Sequence, residues 1–68
     1  MAIIKVIEIL SNSATSWEDA TQQGVSHAAK TIRNIKSAYV KDFSAEVGND
    51  GKITEYRVNL KITFALDN

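Results

Sequence analysis

The chain has no cysteine, no proline, only three glycines and a single histidine in 68 residues, and its eight basic residues are cancelled by eight acidic ones. Without cysteine there are no disulfides and no thiolate metal sites. With His27 as the one imidazole, a structural zinc site is excluded as well. A cysteine-free composition fits a reducing compartment, and a cytoplasmic location is the expectation. Zero formal net charge argues against nucleic acid as a partner, which usually demands a basic stripe. The apolar opening MAIIKVIEIL carries Lys5 and Glu8, so it is too short and too charged for a signal peptide or a membrane span. The scattered glycines supply no nucleophile elbow and no Gly-rich turn. His27 therefore reads as a helix-surface residue rather than the base of a Ser-His-Asp arrangement. Catalysis is not expected.

A chain of this length forms one small domain, residues 1–68, and buries only about 60% of the surface that its unfolded form exposes. Small domains offset this with disulfides, a metal or oligomerisation. The first two are excluded, which leaves self-association.

What is present is dominated by Ile53 to Leu66, ITEYRVNLKITFAL. Tyr56, Val58, Leu60, Ile62, Phe64 and Leu66 alternate with Arg57, Asn59, Lys61, Thr63 and Ala65, the period-2 signature of a strand with one buried face. At ~3.4 Å per residue the strand reaches roughly 45 Å. A compact chain of this length has a radius of gyration of only ~11 Å. Such a strand must curl around a helix or project onto neighbouring subunits.

Upstream, Ala2 to Leu10 reads as a first strand, rich in Ile and Val and apolar enough to be covered on both faces. Ser11 to Ser16 reads as a polar connector. Ser16 with Asp19 resembles a capping box, so a helix is predicted from about Trp17. Its stripe runs through Trp17, Thr21, Gly24 or Val25, Ala28 and Ile32, and its end is expected near Asn34. Trp17 reads as a core or interface anchor. Lys36 to Val47 is the second strand, joined to the third by the turn Gly48-Asn49-Asp50-Gly51. The order is β-α-β-β, an α+β fold with three antiparallel strands and one helix over one face.

The second face should carry Arg57, Asn59, Lys61 and Thr63, with Ser37, Tyr39, Lys41 and Phe43 if the alternation holds. Arg57 there needs a carboxylate, phosphate or carbonyl partner, either an intersubunit salt bridge or a ligand. Asp42, Glu46, Asp50 and Glu55 are oxygen donors suited to a hard cation, but they lack EF-hand spacing. They read as solvated charge unless symmetry gathers copies from several subunits.

Nearly the whole chain resembles the dodecin family: KVIEIL opening the first strand, SNSATSWEDA entering the helix, KTIRNI leaving it and EYRVNLKITFAL as the long third strand. The resemblance implies a protomer whose hairpin wraps around the helix, twelve of which build a hollow sphere. It also implies storage without turnover of flavins such as riboflavin or FMN, bound in pairs at a two-fold axis; some members bind coenzyme A on the outer surface. In flavin-binding dodecins a tryptophan starts the second strand and stacks on the isoalloxazine, and a glutamine after the third-strand tyrosine bonds its pyrimidine edge. Those positions are Ser37 and Arg57 here. Serine has no π face, and arginine donates but cannot accept. Tyr39 lies on the same predicted face. The departures resemble a branch that includes a calcium-binding dodecin, with Asp42 and Glu46 as carboxylates that symmetry can cluster. The expectation is a non-enzymatic shell that stores a small ligand or cation such as calcium through Ser37, Tyr39 and Arg57 or through Asp42 and Glu46. The alternatives are a flavin store with an altered pocket, or a shell without ligand.

Overall fold

The computed structural model describes residues 3–66. Three strands and one helix follow each other as β1 (Ile3–Ser13), α1 (Trp17–Ala28), β2 (Ile35–Val47) and β3 (Ile53–Leu66). The sheet order is β1-β3-β2, antiparallel throughout. The long third strand is central, and the expected bounds of β3 are met at both ends. The protein measures 53 × 19 × 13 Å with a radius of gyration of 14.0 Å, well above the ~11 Å of a compact chain this size. The strand projects rather than folding back.

Helix α1, about 18 Å long at 1.5 Å per residue, lies over the middle of the sheet, against β1 and β3 far more than β2. Ala20, Gly24 and Ala28 face the sheet, and Val58, Leu60 and Ile62 beneath them are fully buried. Ile7, Ile9, Trp17, Val25, Ile32, Ile35 and Val40 close the core around them. The small stripe lets the helix approach closely. A Cβ at Gly24 would come within 2.8 Å of Leu60 Cδ1 and 3.1 Å of Ser11 Cβ.

Strand β1 begins near the expected point, although Ala2 lies outside the described residues. It does not stop at Leu10. Ser11, Asn12 and Ser13, expected as connector, continue the ladder opposite Val58, Arg57 and Tyr56. Their side chains explain why polar residues stay extended. Ser11 Oγ donates to the Ala20 carbonyl at 2.7 Å, and Ser13 Oγ donates to Asp19 Oδ2 at 2.6 Å while accepting from Thr15 N at 2.9 Å. Ser16 caps the helix as expected, accepting from Asp19 N at 2.9 Å. The reverse half of the capping box is replaced, since Asp19 accepts from Ser13 and Gln23. As a flanking strand rather than a central one, β1 leaves Ile3, Ile4, Val6 and Leu10 more than half exposed.

The helix ends at Ala28, six residues before the expected stop. Ile32 N still reaches back to the Ala28 carbonyl at 2.9 Å. Asn34 then takes the left-handed conformation (φ 63°) and its carbonyl accepts from Ala65 N. The turn releases the chain early enough for Ile32 and Ile35 to pack on the core.

The alternation in β2 does not hold. A register shift at Lys41 pairs Val40 with Leu60 but Asp42 with Asn59. An extra residue of this kind reverses the side-chain faces beyond it. Phe43, expected on the face away from the helix, therefore pairs with Val58 and meets Trp17 edge-to-face at 5.9 Å. Trp17 also meets Tyr56 at 4.9 Å and donates its indole N–H to the Ser44 carbonyl at 2.8 Å. It anchors the helix start to the sheet, as expected. At the hairpin turn, Gly51 takes a positive φ of 82° that a side chain would resist.

Candidate functional site

Opposite the helix, the register places side chains of the three strands in rows. From one end these are Val6–Thr63–Ser37, Glu8–Lys61–Tyr39, Leu10–Asn59–Asp42 and Asn12–Arg57–Ser44, with Glu55–Glu46 beyond. Ser37, Tyr39, Arg57, Asp42, Glu46 and Glu55 all lie on this one face, whereas Asp50 lies in the hairpin turn. They are not gathered at one point.

Ser37 pairs with Thr63, and their hydroxyls are hydrogen-bonded. Tyr39, two residues on, is 65% exposed and is the one aromatic ring among these rows. Arg57 sits six β3 residues from Thr63, a separation of ~20 Å, so one chain does not bring Ser37 and Arg57 together. Arg57 Nε donates to Asn12 Oδ1 at 2.8 Å, and its Nη2 donates to Glu46 Oε2 at 3.2 Å. Asn12 in turn donates to Glu55 Oε1 at 3.0 Å. Arg57, expected to meet an intersubunit carboxylate or a ligand, already meets Glu46 within the chain.

That pairing divides the two acidic candidates. Glu46 is engaged by Arg57, whereas Asp42 lies four residues back along the face, ~13 Å away. No group of three or more acidic or histidine side chains among the described residues could hold a metal ion. Calcium takes six to eight oxygen ligands, more than the carboxylates of Asp42 and Glu46 supply. Ser37 presents no ring on this face, and Arg57 is engaged through two of its nitrogens.

The middle of the face carries a network that sequence alone did not reveal. Glu8 accepts from Lys41 Nζ at 3.5 Å. A hydrogen bond from the Asn59 side chain, and then the charge of Lys41, hold the Glu8 carboxyl below the usual carboxylate range. Asn59 spends its amide on Glu8, and its Oδ1 is buried without a hydrogen-bond partner among the described residues. A buried carbonyl left this way costs about 1–3 kcal/mol unless a donor arrives. It sits beside Asp42 and Leu10, and Leu10 is 66% exposed. Its only sequence signal was an amide at a face-outward position of a strand.

Among the described residues, no helix is long and apolar enough to cross a membrane. The chain is similar to the calcium dodecin of Mycobacterium tuberculosis, 38% identical over 66 residues that make up 97% of this chain and 92% of that protein. A crystal structure of calcium dodecin from that organism, described as a calcium-chelating antigen with a novel calcium-binding site, aligns with a TM-score of 0.83. Its sequence identity is 35%, with 96% of this chain and 91% of that one covered. An arginine-to-alanine mutant of Thermus thermophilus dodecin aligns with a TM-score of 0.93 at 31% identity, covering 100% of this chain and 98% of the other. The dodecin family model matches residues 3–67. Sequence and fold agree over nearly the entire length, and the chain belongs to the dodecin family.

Proposed function

We propose that this chain is a non-catalytic, self-associating storage protein, built as a dodecamer, whose sheet face opposite the helix holds a small ligand or cation other than a stacked flavin. The observation that carries this reading is that Ser37 and Arg57 are already satisfied within the chain, by Thr63 and by Asn12 and Glu46. A flavin entering there would find no ring at Ser37. It would also have to displace an ion pair to reach Arg57. Assembly is supported by the 53 Å long axis, which a 12-residue helix covers only in part, and by the exposed apolar side chains of β1.

The cation branch is supported by similarity to a protein described as calcium-chelating. Within this chain it rests on Asp42 together with the unpartnered Asn59 oxygen, repeated on several copies, because Glu46 is held by Arg57. Cytoplasmic residence accompanies this reading.

A flavin fluorescence-quenching titration tests the main claim. Riboflavin and FMN are expected to show no submicromolar binding, and submicromolar binding would replace the proposal with a flavin store. Tyr39, exposed beside Ser37, is the ring that such a store would use. Calorimetry with calcium after chelator treatment tests the cation branch. Heat that disappears in Asp42→Asn supports it, and absence of heat in the parent protein removes it.

A further inference from the structure

A groove of about 640 Å³ runs along β1, between that edge strand and the helix. None of Ser37, Tyr39, Arg57, Asp42 and Glu46 lines it. Ile9 and Gly24 form its apolar floor, with Leu10 at the β1 edge. Gln23 and His27 rise along one side on successive helical turns, and Lys30 follows in the turn after the helix. The volume falls in the ~300–1,000 Å³ range of small-molecule clefts.

The charge of the groove is one-sided. No carboxylate lines it, and the Lys30 and His27 side chains have no ion-pair or hydrogen-bond partner among the described residues. Asp19, in the first turn of the helix, is already held by Ser13 and Gln23. Apolar area beside an uncompensated ammonium and an imidazole suits a ligand that is flat and apolar at one end and anionic at the other. A cation would meet Lys30, and a neutral hydrocarbon would strand both polar groups.

We propose that the groove between α1 and β1 binds a small organic anion of the aryl carboxylate or aryl sulfonate class. Its ring lies on Ile9 and Gly24, and its acid group is held by Lys30 and His27. The β1 edge residues Leu10 and Asn12 line it as well, and they also belong to the rows opposite the helix.

The test is fluorescence titration of the assembled protein with anilinonaphthalene sulfonate, and with phenylnaphthylamine as the neutral probe of the same ring system. His27 and Lys30 are exposed and outside the core, so Lys30→Gln and His27→Gln should fold normally; Lys52→Gln in the hairpin turn serves as control. Saturable sulfonate binding is expected, weakened about two- to fivefold in Lys30→Gln, less in His27→Gln and not in Lys52→Gln. The neutral probe should respond to none of the three. Absence of saturable binding in the parent overturns the proposal, and so does an affinity unchanged in Lys30→Gln. Equal weakening in Lys52→Gln also overturns it, because it would report a general charge effect.

Discussion

Val58, Leu60 and Ile62 lose all contact with solvent beneath the helix, whereas Arg57, Asn59 and Thr63, their neighbours on the same strand, end in polar contacts on the opposite side. The two faces differ in energy as well as chemistry. Each fully buried aliphatic side chain contributes about 1.5–3 kcal/mol, while an exposed ion pair such as Arg57–Glu46 contributes at most ~1 kcal/mol. The helix side holds the protomer together. The other side adds little stability, so its residues can change without cost to the fold. That is the side on which the resemblance sets Ser37 and Arg57 apart from the flavin-binding pattern.

The sharpest way to break this contrast is to cut the buried face. Leu60→Ala should lose about 2–5 kcal/mol in denaturant unfolding, because the fixed helix cannot collapse into the space. A loss below ~1 kcal/mol would mean that the helix is not seated as described. A gain of function on the other face comes next. Ser37→Trp combined with Arg57→Gln restores a stacking ring and a group that both donates and accepts. Flavin affinity by quenching should rise at least about tenfold, equivalent to ~1.4 kcal/mol, with little change in stability. Unchanged affinity would show that those two positions do not decide flavin binding.

The smallest effect is a pH dependence. Glu8 is held below its ordinary pKa by Asn59 and Lys41. Its contribution is therefore present above the unfolded-state value and lost as pH falls through the depressed folded value. Glu8→Gln should flatten the acid-side decline of the unfolding midpoint, measured at one fixed protein concentration because assembly shifts apparent stability. A decline as steep as in the parent would assign the acid sensitivity to other groups.

Much of the fold was legible because β3 alternates without interruption from Tyr56 to Leu66 and because Ser16 and Asp19 mark the helix start. The misses have physical causes. Ser11, Asn12 and Ser13 carry turn chemistry, yet hydrogen bonds to Ala20 and Asp19 and pairing with β3 keep them extended. Placing Asn12 in a connector hid the partner of Arg57. The irregularity at Lys41 has no glycine or proline to announce it, so Phe43 was assigned to the wrong face. For the site, the sequence identified a face but not a pocket. Ser37 on β2 and Arg57 on β3 stand on the same side of the sheet, ~20 Å apart along it, and one chain does not bring them together.

The claim beneath both faces is that a protomer 53 Å long, with β1 uncovered, is a building block rather than a free-standing domain. Light scattering at micromolar concentration tests it most directly. A mass near about 90 kDa, twelve copies of the 7.5 kDa chain, is the expected result. A stable species at the mass of one or two chains would contradict it.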